Sequence, residues 1–136
     1  MTNVTVQHED GDRFQVVVRG HRLVIDQPEA DGGTDAGPTP TELFVAGLAS
    51  CVGFYAERFL RRHGLPVEDL RVECSYEFAV DRPARVGSVS LAVHAPGLSP
   101  SKREAFLAVV EHCTVHNSIR SAPDVRIELD PADLVA

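Results

Sequence analysis

Alternating apolar and polar residues fill the first part of the chain and predict short β-strands. Polar turns at residues 9–12 and 19–22 separate three apolar runs. Period-two alternation with short polar connections is typical of antiparallel strands. The sequence therefore predicts a three-stranded meander with strands at residues 4–7, 14–18 and 23–25.

A long apolar stretch over residues 39–63 predicts the dominant helix. Thr39 or Thr41 fits the N-cap, Pro40 suits the first turn, and Gly64 follows the last turn. The preceding residues 27–40 contain three prolines and three glycines, which exclude helix and strand. A loop of this length is often functional or mobile, so we expect a mobile lid before the helix.

The predicted helix is apolar on nearly all sides, which requires packing partners on both faces. We expect one face to pack on the sheet and another to meet a second copy of the chain by two-fold symmetry. The alternative is a central helix between two layers of a single chain.

The second half of the chain predicts two more strands, two helices and a last strand. The strand at residues 70–78 alternates strictly and pairs with the strand at 88–94. Ser99 and Pro100 start a helix that continues to Glu111, and a shorter helix covers residues 113–121. Residues 124–129 form the last strand. The sum is a single domain, residues 1–136, of α+β class with a mainly antiparallel sheet and a long buried central helix.

Composition narrows the possible functions. The chain has 136 residues, 43% of them hydrophobic, and a net charge of −7. This acidic balance argues against a general nucleic-acid binder and against adhesion to an anionic membrane. No uninterrupted apolar run of about 18 residues predicts a membrane span, and the first residues do not resemble a secretory signal. We therefore expect a cytoplasmic protein with reduced thiols.

Three cysteines are the candidate reactive groups. Cys51 lies inside the apolar helix, where inert packing is the common role. Cys113 lies where a helix begins, and a helix N-terminus lowers the pKa of a thiol. Cys74, on the apolar face of a strand, is interpreted as core packing. A low-pKa thiol and a second thiol are what a disulfide-forming peroxide reducer requires, but spacing alone leaves open which thiol has which role.

A metal site is a competing interpretation of the same region. His112 and His116 are four residues apart and share a helix face, so they are possible zinc ligands with Cys51 or Cys113. No second closely spaced pair completes a four-ligand set. We therefore expect no metal.

Four segments together resemble the OsmC/Ohr family of osmotically inducible and organic hydroperoxide resistance proteins. The likeness extends from about Phe14 to Leu129, and the segments are residues 32–40, 42–51, 62–66 and 112–119. The resemblance implies an intertwined homodimer with active sites at its interface. It also implies thiol-dependent reduction of organic hydroperoxides without metal or organic cofactor, with regeneration by a dithiol such as a dihydrolipoyl protein.

The resemblance also implies roles for individual residues. Cys51 matches the peroxidatic cysteine and Cys113 the resolving cysteine. An arginine of the N-terminal strands stabilises the thiolate; Arg19 is favoured, and Arg13 and Arg22 are the other candidates. Glu42 lies near the usual activating glutamate, whose own position holds Thr41 here. On an ideal helix Glu42 lies opposite Cys51 and about 13 Å away.

An apolar pocket beside Cys51 would bury the organic part of an alkyl or lipid hydroperoxide. Its predicted walls are Phe44, Leu48, Phe54 and Tyr55. The same surroundings raise the pKa of a thiol unless a cation opposes them, so the mechanism requires the arginine. A non-catalytic dimer that binds a small apolar ligand remains the alternative function, supported by Thr41 at the glutamate position.

Overall fold

A computed structural model describes residues 2–134, which form two antiparallel sheets and three α-helices. The elements in chain order are β1 Thr5–Asp10, β2 Arg13–Val18, β3 His21–Ile25, α1 Pro40–Arg62, β4 Arg71–Phe78, β5 Val86–His94, α2 Arg103–Val110 and α3 Thr114–Arg120. Short 3-10 turns lie at Glu29–Asp31, Pro100–Lys102 and Pro131–Asp133. The α+β class and its antiparallel pairing are confirmed.

The first sheet is the predicted meander, in the order β1-β2-β3. Arg19 and Gly20 both have positive φ, at 49° and 80°, and connect the paired residues Val18 and His21. Two consecutive positive φ angles are typical of the two-residue turns that match the twist of a hairpin. β1 is longer than predicted and extends through Asp10, so the first turn is confined to Gly11 and Asp12.

The loop between β3 and α1 is organised around the buried carboxylate of Asp26. Its oxygens accept hydrogen bonds from the backbone N–H groups of Gln27 (2.8 Å), Thr34 (3.2 Å) and Ala36 (3.0 Å), and from the Thr34 hydroxyl (2.7 Å). These bonds, led by the Thr34 hydroxyl, lower the pKa of Asp26 from 3.8 to about 2. The loop is thus tied to the end of β3, which argues against the mobile lid expected from its glycines and prolines.

Helix α1 starts and ends at the predicted signals. Thr39 is the N-cap: its hydroxyl accepts from the Glu42 N–H at 3.1 Å, and the Glu42 carboxylate accepts from the Thr39 N–H at 2.9 Å. Pro40 occupies the first helical position. At the other end Gly64 takes a positive φ of 64°, which ends the helix.

The hydrophobic core lies where α1 packs against α2, α3 and the β4–β5 sheet. Its buried members come mainly from one side of α1 and from α2, and they are Leu48, Val52, Ala56, Phe59, Leu60, Phe106, Val110 and Cys113. Part of α1 outside this packing remains open: Phe44 is 49% and Phe54 51% exposed. The expected second partner of this helix is therefore not supplied by residues 2–134.

By length and composition alone, α1 is also the one helix in residues 2–134 that is long and apolar enough to cross a membrane. The sequence analysis expected no membrane span because it considered uninterrupted apolar runs, whereas this test considers the length and overall composition of a helix. α1 contributes most of the buried core residues, as the core helix of a globular fold does.

The predicted last strand is wrong for the described chain. Residues 124–129 have no regular secondary structure, and within residues 2–134 they pair with no strand. Val125, Ile127 and Leu129 are 72%, 93% and 69% exposed. Their alternation indicates a half-buried strand, yet a strand forms only against a partner edge, and the described residues supply none.

Candidate functional site

Cys113 lies at the start of α3 and is fully buried. It is the N-cap residue of the helix, and its Sγ accepts a hydrogen bond from the His116 N–H at 3.4 Å. The predicted placement at a helix N-terminus is therefore correct. A sulfur in this position occupies the place that a serine or aspartate oxygen takes in an ordinary N-cap.

The lowered pKa expected for Cys113 is wrong. Burial, the largest influence, raises the pKa of this thiol; the His116 N–H acts in the opposite direction, and the neighbouring Cys51 side chain raises it again. The net effect is a raised pKa. Desolvation exceeds the contribution of the helix N-terminus here because the sulfur has no exposed surface.

Cys51 and Cys113 are brought together although 62 positions separate them in the chain. Cys51 lies in the middle of α1, half-buried against the core cluster that contains Cys113, and it is near enough to raise the pKa of the Cys113 thiol. Both are free thiols in this structure. A disulfide requires a short separation between the two Cβ atoms, and a pair of neighbouring thiols is the starting arrangement for one.

A hydrogen bond between helices lies beside the thiol pair. The Tyr55 hydroxyl of α1 lies 2.9 Å from the Thr114 hydroxyl, at the first residue of α3. Tyr55 is one helical turn beyond Cys51, and Thr114 follows Cys113 directly. Sequence reasoning missed Thr114 because its contact partner is 59 residues away.

An apolar cleft begins one helical turn from each thiol. Its volume is about 300 Å³, and it is lined by Phe44, Leu48, Val86, Gly87, Ser88, Val89, Leu91, His116 and Ile119. Phe44 and Leu48 thus lie where the sequence analysis expected a substrate pocket. Tyr55 instead bonds Thr114, and Phe54 packs edge-on against Tyr55 with the Arg58 guanidinium 5.2 Å from its ring centre.

Comparison with known proteins identifies the family. A sequence profile described as OsmC-like protein matches residues 32–128, most of the chain. The chain belongs to the OsmC family. No functionally curated protein matched its sequence.

Solved structures of OsmC-family proteins share the fold. A protein of Psychrobacter arcticus 273-4, described as an osmotic stress induced and detoxification response protein, superposes with a TM-score of 0.78 at 23% identity, covering 87% of this chain and 88% of that one. The organic hydroperoxide resistance protein OsmC of Legionella pneumophila gives 0.67 at 24% identity, covering 88% and 89%. The organic hydroperoxide resistance protein OhrB of Bacillus subtilis gives 0.63 at 24%, covering 96% and 98%.

Glu42 of this OsmC domain is engaged at the start of α1. Its carboxylate closes the capping box with Thr39, nine residues before Cys51. A regular helix separates the two by about 13 Å along its axis, as expected. Within one chain Glu42 therefore stabilises the helix start and does not contact Cys51.

The three candidate arginines lie on the first sheet of the OsmC domain, and among residues 2–134 no arginine hydrogen-bonds to either thiol. Arg13 pairs with Glu9 at 3.4 Å, and Arg22 donates to Gln15 at 2.6 Å. Arg19 is exposed in the β2–β3 turn, at the end of the sheet farthest from Ile25 and α1. That distance is about 16 Å for five strand residues.

The proposed zinc ligands do not assemble. In the part of the chain that the structure describes, no group of three or more His, Cys, Asp or Glu side chains is arranged to hold a metal ion. The Nδ1 of His112 lies 2.8 Å from the Ala108 carbonyl, one turn earlier on α2. Cys74 of β4 is half-buried opposite Leu91, and burial raises its pKa.

Proposed function

We propose that this OsmC-family protein is a two-cysteine thiol peroxidase that reduces organic hydroperoxides. The observation that carries the proposal is the proximity of Cys51 to Cys113 at the same part of the core. Two relatives in fold are organic hydroperoxide resistance proteins, which supports the same class of substrate. The apolar cleft beside Leu48 suits the organic part of such a peroxide.

Two steps make up the proposed reaction. The Cys51 thiolate attacks the terminal peroxide oxygen, an S–O bond forms, the O–O bond breaks, and the alkoxide takes a proton to leave as an alcohol. Cys113 then attacks the Cys51 sulfenic acid, forming the disulfide and releasing water. The raised pKa of Cys113 and its complete burial suit the second role, because a protonated, inaccessible thiol does not compete for peroxide.

Intact-mass analysis with peptide mapping tests the proposal after addition of one equivalent of cumene hydroperoxide. We expect a Cys51–Cys113 disulfide in the wild type, no peroxide consumption by Cys51→Ser, and a trapped sulfenic acid in Cys113→Ser. Cys74→Ser is the matched control and should behave as the wild type. Peroxide left unconsumed by the wild type would refute the proposal.

We propose that the functional form is a homodimer. The apolar side chains of α1 and of residues 125–129 are exposed in one chain, and a hollow of about 380 Å³ between the first sheet and α1 is also lined by apolar residues. Isologous pairing of two copies would cover all these surfaces together. The six exposed residues of β1 present a further edge for strand pairing.

Dimerisation also supplies the missing cation in this proposal. A thiolate in apolar surroundings requires a nearby positive charge, and Arg19 lies in an exposed turn at the end of its sheet opposite to Ile25. We propose that Arg19 of one copy serves Cys51 of the other, with Arg13 and Arg22 as the alternatives.

Mixed dimers test this arrangement. Arg19→Ala and Cys51→Ser should each be inactive, and refolding them together should restore activity, because one site per mixed dimer then holds both residues. If the arginine serves its own chain, mixing restores nothing. Thiol alkylation near neutral pH is then measured for Arg13→Ala, Arg19→Ala and Arg22→Ala in parallel. The arginine that stabilises the Cys51 thiolate is the one whose loss slows alkylation.

Regeneration of the reduced protein requires a dithiol, and a dihydrolipoyl protein in the cytoplasm is the proposed donor.

A non-catalytic dimer that binds a small apolar ligand is the second candidate function. It is supported by the engagement of Glu42 in the capping box. Ligand binding that persists while the wild type leaves peroxide unconsumed would favour this second candidate.

A further inference from the structure

His116 lies between the thiol pair and the apolar cleft. Its backbone N–H bonds the Cys113 sulfur at 3.4 Å, and its half-buried side chain lines the cleft with Leu48 and Phe44. Among the described residues that line this cleft, His116 is the one with a titratable side chain. An imidazole therefore faces the space where the proposed reaction places the leaving oxygen.

Two proton transfers are required in that space. The alkoxide formed when the O–O bond breaks must gain a proton, and the buried Cys113 thiol must lose one before its sulfur attacks. Water has poor access to a fully buried sulfur. Imidazole, with an unperturbed pKa of about 6.5, accepts and donates protons near neutral pH.

We propose that His116 carries protons between the substrate and Cys113, an inference that rests on the proposed peroxidase function. In the first step the His116 imidazolium protonates the departing alkoxide and becomes neutral, while Cys51 is oxidised to the sulfenic acid. In the second step the neutral imidazole takes the Cys113 proton, the S–S bond forms, and the sulfenic hydroxyl leaves as water with that proton. Thiols are oxidised and the peroxide is reduced, and charge balances throughout.

The surroundings of His116 favour this role over a static ion pair. Cys113, whose sulfur the His116 N–H bonds, begins its helix and Arg120 ends it; on α1, Cys51 neighbours Cys113 and Tyr55 bonds Thr114. The β5 residues lining the cleft are uncharged. No carboxylate lines the cleft in the described chain, so no acidic side chain there forms an ion pair with the imidazole.

Rapid-quench mass analysis with cumene hydroperoxide tests the proposal by following the sulfenic acid and the disulfide separately between pH 5.5 and 8. We expect His116→Gln to slow disulfide formation about 10²-fold and to flatten its pH dependence near neutrality. His116→Ala should be slow in the same way and should recover in added imidazole. His112→Gln, four residues earlier, is the matched control and should keep the wild-type rates and pH profile.

The outcomes separate the two proposals. If the wild type forms the disulfide, and His116→Gln and His116→Ala form it at the same rate with the same pH profile, the role of His116 is refuted and the peroxidase is not. If slow variants show no recovery with imidazole and keep the wild-type pH profile, His116 is structural, and the inference is again refuted. If the wild type consumes no peroxide, both proposals fall.

Discussion

The hydroxyl groups of Tyr55 and Thr114 lie 2.9 Å apart and join the middle of α1 to the first residue of α3. Each residue adjoins a thiol: Tyr55 is one turn beyond Cys51, and Thr114 follows Cys113. The bond therefore holds the two cysteine-bearing helices in the relationship that the proposed disulfide needs.

Tyr55→Phe removes this bond and keeps the ring in the core. A neutral hydrogen bond contributes about 1 kcal/mol, so we expect disulfide formation to be about fivefold slower, with a small loss of stability. Stopped-flow measurement after one equivalent of peroxide checks the rate. Tyr76→Phe on β4 is the control; equal rates for both variants would show that the bond does not position the thiols.

The carboxylate of Asp26 predicts an acid-sensitive loop. Its pKa is lowered from 3.8 to about 2, so folding gains stability from the ionised group above pH 3.8 and loses it as the pH falls towards 2. Asp26→Asn should lower the melting temperature at pH 7, and its difference from the wild type should shrink below pH 3. Thermal melts across this range are the measurement. Asp31→Asn, an exposed loop carboxylate, is the control, and an equal effect of both substitutions would contradict the prediction.

The capping box separates a structural from a catalytic role for Glu42. Glu42→Ala removes one half of the box and should cost up to about 1 kcal/mol, whereas Glu42→Gln keeps an acceptor for the Thr39 N–H. Chemical denaturation measures the free energy of unfolding of both variants. If Glu42→Gln keeps its stability but loses peroxidase activity tenfold or more, the carboxylate charge acts in catalysis across the dimer.

Local signals explain which parts of the fold the sequence predicts. The start of α1 follows from Thr39, Pro40 and Glu42, whose effects lie within one turn. The two-residue turn at Arg19 follows from a glycine between apolar runs. Such features depend on neighbours in sequence, so the residues themselves specify them.

The site depends on contacts that are distant in sequence, and these were harder to predict. The helix start at Cys113 is visible in the sequence, but its complete burial is not, so the direction of its pKa shift was predicted wrongly. Asp26 was missed because its partners are mainly backbone N–H groups, which no residue pattern identifies. An aspartate directly after a strand and before a glycine-rich loop was the available signal.

Residues 124–129 show a third reason why a prediction from sequence fails, which is the lack of a partner strand among the described residues. Their alternation is typical of a half-buried strand, but residues 2–134 supply no partner edge, so no strand forms there. We expect Ile127→Asp to raise the dimer dissociation constant at least a hundredfold, because burying an isoleucine contributes about 1.5–3 kcal/mol and each dimer contains two. Light scattering over a micromolar concentration series measures this, with Glu128→Gln as the control on the neighbouring position. A wild-type chain that is a folded monomer at micromolar concentration, or an Ile127→Asp dimer as tight as the control, would show that these exposed apolar residues do not meet a second copy.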